Sequence, residues 1–123
     1  MVRFVGAIDQ GTSSTRFLVL DAAGKVVSSA QREHRQIYPA AGWVEHDPEE
    51  IWQRTKEVIR EAMAKLDLSP SDLATVGVTN QRETVVAWNR TTGKPYHNAI
   101  VWNCARTASL ARRFAAEFGV DSL

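Results

Sequence analysis

Short apolar runs near the amino terminus predict three strands. Residues 4–8 are almost wholly apolar, which is the pattern of a strand covered on both faces. A second run covers residues 15–20, and a turn at 22–25 leads into a third, from residue 26 to about residue 33. Because the connections are short enough for hairpins, we expect the three strands to be antiparallel neighbours.

A loop and an amphipathic helix are predicted next. Residues 36–45 are polar and aromatic, so we interpret them as a loop. Asp47 is a strong helix start, because its side chain can accept backbone N–H bonds and Pro48 suits the first helical position. Apolar residues then recur at helical spacing as far as Leu66, and we expect residues 69–70, Ser-Pro, to end the helix.

The second half of the chain mixes strand and turn signals before a last helix. Residues 75–79 predict a strand that is parallel to an earlier one, because a helix separates them. Further strands are predicted at 85–88 and 99–102, with a turn at 92–95, and a helix at roughly 106–118. The order predicts an α/β domain with a mixed sheet. Little chain follows to cover the last helix, so we expect a piece of a larger protein.

Composition and charge exclude several classes of function. Fifteen basic against 14 acidic side chains leave a net charge of +1, so there is no electrostatic case for binding nucleic acid or an anionic membrane. No apolar run approaches the roughly 20 residues of a spanning helix, and Asp9 comes too early for a signal peptide. Cys104 is alone, and His34, His46 and His97 lack metal-ligand spacing. We expect a soluble, cytoplasmic domain.

The segment between the first two strands carries the clearest chemical signal. It contains a carboxylate, a glycine, four consecutive hydroxyl residues and an arginine: Asp9, Gly11, Thr12, Ser13, Ser14, Thr15 and Arg16. A glycine lets backbone approach a bulky anion, loop N–H groups form a nest, and a carboxylate can hold Mg²⁺ directly or through water. The combination suits a nucleoside triphosphate, although no Gly-Lys-Ser/Thr makes it a Walker A loop. A polar hairpin with a capped turn is the alternative.

A second polar segment, residues 80–84, follows the predicted strand at 75–79. Neighbours in a regular strand point to opposite faces, so Arg82 and Glu83 can reach one ligand only if the chain bends here. Open α/β sheets keep ligands at this end of their strands, where an Arg donor beside a Glu acceptor suits adjacent hydroxyls of a polyol. A solvated loop with an ion pair is the alternative. Trp102 either lays its ring against a carbon chain or belongs to the core.

Together these segments resemble the amino-terminal part of the glycerol kinases, a branch of the sugar-kinase family with the ribonuclease H-like, actin-like ATPase fold. The resemblance runs from about residue 4 to residue 113 and rests on residues 9–16, 37–48, 79–84 and 98–102. The first stretch is shared across the wider family and implies ATP and Mg²⁺. Residues 79–84 are more discriminating, because kinases of pentuloses and hexuloses are expected to differ there.

The resemblance implies a role for each polar segment. Phosphates of ATP would be contacted by Thr12, Ser13, Ser14 and Arg16. Asp9 would help to hold Mg²⁺. Arg82 and Glu83 would hydrogen-bond glycerol, and Trp102 would pack against its carbons. The reaction would be ATP-dependent phosphorylation of a terminal hydroxyl, giving sn-glycerol 3-phosphate.

The resemblance also implies functional parts outside this chain. Such kinases have a general-base aspartate farther along the chain and an adenine pocket in a second, nucleotide-binding domain. We therefore assign residues 1–123 to the amino-terminal portion of the first, substrate- and phosphate-binding domain, an incomplete domain with no catalytic residue and no activity expected alone. Asn103 and Ala105 depart from the family pattern, where a glutamine and a larger polar residue are usual. Both lie near Trp102 and bear on the polyol pocket.

Three other interpretations stay open. A ribonuclease H-like nuclease needs several converging carboxylates for two metals, and Asn80 and Gln81 stand where one would be expected. A non-catalytic nucleotide-binding module would fit the short length. A kinase of another polyol or ketose in the same family would share most of the motifs. A homo-oligomer of the full-length protein is also left open.

Overall fold

The computed structural model describes residues 4–120. Along the chain lie strands β1 (Phe4–Gln10), β2 (Ser14–Leu20), β3 (Val26–Glu33) and β4 (Glu45–His46), helix α1 (Pro48–Ala64), strands β5 (Leu73–Thr79) and β6 (Ala99–Ile100), and helix α2 (Ala108–Phe118). Single turns of 3₁₀ helix precede β5 and α2, at Pro70–Asp72 and Ala105–Thr107.

The main sheet has the strand order β3-β2-β1-β5. β1 pairs with β2, and β2 with β3, in antiparallel register, whereas β5 returns through α1 to lie parallel to β1. The predicted mixed sheet, with three antiparallel strands followed by a helical crossover, is therefore confirmed. The register sets Asp9 of β1 opposite Arg16 of β2 and Thr79 of β5. Polar segments that are far apart in sequence thus meet at one edge of the sheet.

The hydrophobic core lies between this sheet and α1. Phe17 and Val19, two positions apart on β2, are wholly buried, as are Val58 and Ala62 of α1. Alternate residues of a strand share one face, so β2 presents a continuous apolar row to the helix. A Cβ at Gly6 of β1 would lie 2.7 Å from the ring of Phe17. The glycine therefore makes the space that this ring fills.

Helix α1 begins as the sequence predicts and ends slightly earlier. The Asp47 carboxylate accepts hydrogen bonds from the backbone N–H groups of Glu49 and Glu50, at 2.9 and 3.4 Å. These bonds satisfy donors that have no partner within the helix. The helix ends at Ala64, and residues 69–70, which were expected to end it, open the 3₁₀ turn before β5 instead.

The strand predicted at 85–88 is wrong, and the strand predicted at 99–102 is shorter than expected. Val85 forms only an isolated bridge with Ile100, and β6 has two residues, which pair with β4. The apolar side chains of residues 85–88 do not form a buried face, because Val85 is 62% exposed and Trp88 is 60% exposed. Val85 and Trp88 make only isolated bridges and no continuous ladder with a neighbouring strand, so the apolar run at 85–88 does not become a strand.

Helix α2 confirms the last predicted helix, with its first turn in the 3₁₀ form. Its apolar residues Leu110 and Phe114 are 45% and 42% exposed. Within residues 4–120, neither helix is long and apolar enough to cross a membrane.

Candidate active site

A cleft of about 650 Å³ opens where β1 and β5 end. Its walls come from the end of β1 and the turn after it, from the segment that follows β5, and from the region after β6. The side chains and backbone that line it include Asp9, Gly11, Thr12, Arg82, Glu83 and Trp102. Both polar segments therefore open onto the same side of the sheet, as a shared ligand requires.

Five of the eight site residues predicted from the sequence line this cleft: Asp9, Thr12, Arg82, Glu83 and Trp102. The other three, all in the first polar segment, lie outside its lining. Ser13 is exposed, and the Ser14 hydroxyl accepts a hydrogen bond from Gln31 Nε2 at 2.8 Å. Arg16 does not line the cleft, but its guanidinium donates a hydrogen bond to the carboxylate of Asp9, which does.

The turn after β1 is tight, and Gly11 makes it possible. Its N–H donates to the carbonyl of Ser14 at 2.9 Å, and a Cβ on Gly11 would lie 3.0 Å from that same oxygen. A side chain here would crowd the backbone of the turn. The Gly11 N–H is thus part of the hairpin, and the nest expected from the sequence has one donor fewer than predicted.

The chain bends at Arg82 and Glu83, as two neighbours facing one ligand require. Glu83 has a φ of +58°, in the left-handed region that non-glycine residues rarely adopt. Such a conformation costs about 1–2 kcal/mol and is found where the surrounding structure imposes it, often at functional sites. The bend turns both side chains into the cleft lining.

Trp102 forms a wall of the cleft and does not belong to the core. Its side chain is 56% exposed, and the indole Nε1–H donates to the Thr12 hydroxyl at 2.9 Å. Its backbone N–H donates to the Thr84 hydroxyl at 3.3 Å. Because β6 ends at Ile100, Trp102 lies in a turn beyond the strand, where its ring can face a ligand.

Asp9 and Arg16 form an ion pair with 2.7 Å between Oδ2 and Nη2. The two side chains are 37% and 46% exposed. Because water screens and competes with an exposed ion pair, this pair contributes little to stability. Within residues 4–120, no group of three or more His, Cys, Asp and Glu side chains could hold a metal ion. A lone carboxylate still fits Mg²⁺, which proteins often bind through one or two carboxylates together with phosphate oxygens and water.

A polar network that was not predicted from the sequence runs from the cleft lining to a buried histidine. Gln81 donates to the carbonyl of Gly11, and Gln36 donates to the carbonyl of Thr12. His46, which is wholly buried, lies between the two glutamines. Burial lowers the pKa of His46 to about 4, and the neighbouring histidine His34 adds to this shift. The only sequence signal was the place of Gln81 beside Arg82.

A second buried group, the carboxylate of Glu45, anchors the segment that carries Trp102. It accepts hydrogen bonds from Asn98 Nδ2 at 2.9 Å and from Arg106 Nη2 at 2.7 Å. The bonds from Asn98 and Arg106 hold the pKa of Glu45 below its ordinary value. Arg106 also stacks over the Trp43 ring, with 4.1 Å to its centroid. The chain on both sides of Trp102 is therefore tied to β4.

The fold is that of the sugar kinases, with the actin-like ATPase architecture that the sequence predicted. The chain is similar to glycerol kinase of Plasmodium falciparum, solved with ADP, with a TM-score of 0.85 and 37% identity, covering 95% of this chain and 24% of that one. It is also similar in fold to gluconate kinase of Lactobacillus acidophilus, with a TM-score of 0.87 and 21% identity, covering 97% of this chain and 23% of that one.

The chain belongs to the FGGY family of carbohydrate kinases: residues 4–123 match the N-terminal domain of that family. A glycerol kinase of Azorhizobium caulinodans is 59% identical over 123 residues, which are 100% of this chain and 25% of that protein. A glycerol kinase of Methylobacterium radiotolerans is 59% identical over 121 residues, 98% of this chain and 24% of that protein. The chain thus spans about a quarter of the length of these curated relatives.

Proposed function

We propose that the full-length protein containing this chain transfers the terminal phosphoryl group of ATP to glycerol, giving sn-glycerol 3-phosphate. The observation that carries the proposal is the single cleft shared by the two polar segments, in which Gln81 Nε2 lies 2.9 Å from the carbonyl of Gly11. The identity of 59% to glycerol kinases supports glycerol over the ketoses as the substrate. Phosphoryl transfer depends mainly on positioning and charge neutralisation, which such a cleft can supply.

Arg82, Glu83 and Trp102 would bind the polyol. A guanidinium offers several donors and a carboxylate accepts, so Arg82 and Glu83 together complement neighbouring hydroxyl groups. The exposed face of Trp102 would cover the carbon chain. A site built to pair with hydroxyls rejects analogues that lack one, because its polar groups are then left unpaired.

Thr12, Ser13, Ser14 and Arg16 would contact the phosphates, and Asp9 would hold Mg²⁺. Mg²⁺, when bound, neutralises charge that develops on the phosphate oxygens. Asp9 and Arg16 pair with each other in the described structure, so nucleotide binding requires them to exchange partners. Arg16 would then contact the phosphates, and Asp9 would be free to hold the metal. Because the pair is exposed, separating it costs little.

We further propose that these residues are the amino-terminal portion of the first domain, with the general base and the adenine pocket supplied by other parts of the full-length protein. The family match to an N-terminal domain and the quarter-length coverage of relatives support this arrangement. Residues 1–123 alone are then expected to show no glycerol-dependent ATP consumption. The cytoplasmic location and the homo-oligomer stay predictions, to be checked by cell fractionation and light scattering.

Kinetics of the full-length protein test the polyol site. Arg82→Ala should raise the KM for glycerol by about 10- to 150-fold, the value of one hydrogen bond to a charged group, with ATP binding nearly intact. Arg90→Ala, an exposed arginine outside the cleft, is the matched control and should leave both constants unchanged. Equal losses for glycerol and ATP in Arg82→Ala would make Arg82 structural.

The metal role of Asp9 needs a separate measurement. Asp9→Ala should abolish most of the Mg²⁺-dependent rate while glycerol still binds. Assays with glycerol, other polyols and ketoses then identify the substrate. A preference for a ketose, or nucleotide binding without turnover of any of these alcohols, would contradict the proposal.

A further inference from the structure

The two walls of the cleft are joined through Gln81, a side chain of the cleft lining. Gln81 Nε2 donates both to the Gly11 carbonyl, at 2.9 Å, and to Nδ1 of His46, at 3.3 Å. Its Oε1 accepts from the Thr84 hydroxyl at 3.0 Å, and that hydroxyl accepts from the backbone N–H of Trp102. Gln81 thus ties the turn that carries Arg82 to the loop that follows β1.

His46 continues this connection to a second point on the same loop. Its Nε2 lies 2.7 Å from Oε1 of Gln36, whose Nε2 donates to the carbonyl of Thr12 at 3.0 Å. The side chains of Gln81, His46 and Gln36 therefore form a relay between the 82–83 turn and residues 11–12, wholly buried at His46 and half-buried at the two glutamines. The loop is held at two successive carbonyls.

The hydrogen bonds determine the protonation state of the ring. The amide oxygen of Gln36 can only accept, so His46 Nε2 must carry the hydrogen. The Nδ1 lone pair is then left to accept from Gln81. Only the neutral Nε2–H tautomer satisfies both neighbours, and a second proton on Nδ1 would face a donor. The titratable groups that act electrostatically on the ring are His34, at 4.6 Å between centroids, and Glu50.

We infer that His46 is a positioning residue, which through Gln81 and Gln36 sets the separation between the phosphate loop at Gly11–Thr12 and the polyol-binding turn at Arg82–Glu83. The inference rests on the proposed function, in which these two places hold the two reactants. Phosphoryl transfer is sensitive to their separation, because a misplacement of about 1 Å can cost on the order of 10²-fold in rate. His46 itself is wholly buried and reaches no reactant.

Three substitutions of His46 in the full-length protein test the hydrogen bonds of its two ring nitrogens separately. His46→Gln keeps a donor near the Nε2 position, His46→Asn keeps an acceptor near the Nδ1 position, and His46→Leu keeps neither. We expect kcat to fall most in His46→Leu, by about 10- to 100-fold, and less in the other two. Dissociation constants for ATP and for the acceptor alcohol should change less than about threefold, the relation expected when positioning alone is lost. His97→Gln, which alters an exposed histidine, is the control.

A purely structural role gives a different result, because it lowers kcat only in proportion to the fraction of folded protein. Active sites are therefore counted by nucleotide-binding stoichiometry, and kcat is expressed per site. An unchanged kcat per site in His46→Leu overturns the inference. The assay uses whichever polyol or ketose the wild-type protein phosphorylates, so failure with glycerol contradicts only the proposed function.

The tautomer is measured without any turnover. In ¹⁵N NMR spectra of the full-length protein between pH 5 and 8, His46 should show a protonated Nε2 and an unprotonated Nδ1, with no titration. Gln36→Met should weaken this preference, because the acceptor at Nε2 is removed. A ring protonated on Nδ1, or one that becomes doubly protonated near pH 6, overturns the inference.

Discussion

The α1-covered part of the sheet and the segment from residue 80 to residue 107 are stabilised by different interactions. In the first, Phe17, Val19 and Val58 are wholly buried against one another. In the second, Trp88 is 60% exposed, buried apolar side chains are limited to Ala99 and Val101, and several polar bonds reach distant residues. One part supplies stability through buried apolar surface, while the other supplies the shape of the cleft.

The difference indicates how substitutions in each part should affect the protein. Loss of apolar contacts lowers the free energy of unfolding of the whole domain, because the buried surface is shared by β1, β2, β3 and α1. Loss of a long-range hydrogen bond in the second part mainly changes the position of a few side chains.

Phe17→Ala should be the most destabilising single change. Removing a wholly buried aromatic ring deletes its transfer free energy and leaves a cavity, at a cost of about 3–5 kcal/mol. Urea denaturation followed by circular dichroism measures this loss, and Phe17→Leu should recover part of it. A cost below about 1 kcal/mol would mean that the core is not shared in this way.

Glu45→Gln should destabilise the protein less than Phe17→Ala and more than a change at an exposed carboxylate. The substitution removes the charge that Arg106 and Asn98 bind at a buried site. Glu117→Gln on α2 is the matched control, because Glu117 is exposed. Thermal melting ranks the variants, and equal melting temperatures for the two glutamine variants would contradict the expected role of Glu45.

The stabilisation that the Glu45 carboxylate provides should depend on pH. The folded-state pKa of Glu45 lies below its ordinary value of 4.5, so the unfolded chain binds a proton first as the pH falls. The stabilisation from Glu45 is therefore complete above about pH 4.5 and is lost as the pH falls toward the folded pKa. Urea midpoints measured from pH 6 to pH 3 should fall less steeply in Glu45→Gln than in the wild type.

Asp47→Ala should have the smallest effect of the set, about 1 kcal/mol. It removes the side-chain acceptor for the first N–H groups of α1 and leaves the core contacts in place. Asp47→Ser keeps a capping oxygen and should be close to the wild type in urea denaturation. A loss in Asp47→Ala as large as that of Phe17→Ala would mean that the cap also supports the core.

The same contrast explains which parts of the structure were predictable from the sequence. Strands β1, β2, β3 and β5 and helix α1 follow from apolar spacing within short windows. Burial supports β2 and α1, whereas β5 is largely exposed and is held by its parallel pairing with β1. The strand at 85–88 was predicted from an equally apolar window, but Val85 and Trp88 make only isolated bridges and are largely exposed. Local pattern is a reliable guide only where a neighbouring strand pairs with the window or another element packs on it.

The candidate site likewise contains residues that could be predicted from the sequence and residues that could not. Asp9, Arg82 and Glu83 could be singled out because unusual polar residues follow predicted strands. The relay through Gln36, His46 and Gln81 could not, since His46 and Gln81 are 35 residues apart and no local pattern links them. Strand ends can be located from the sequence alone. Hydrogen bonds between side chains that are distant in sequence can be identified only once the folded structure is known.

The bond between the Trp102 indole and the Thr12 hydroxyl gives the protein a built-in optical reporter. The emission of tryptophan depends on the polarity and hydrogen bonding of its indole N–H, and here that group touches the loop proposed to receive phosphates. In a full-length protein whose other tryptophans, Trp43, Trp52 and Trp88 among them, are replaced by phenylalanine, the fluorescence of Trp102 would follow the filling of the cleft in real time. Nucleotide and alcohol would each produce a separate spectral change, one through the hydroxyl and the other through the ring face.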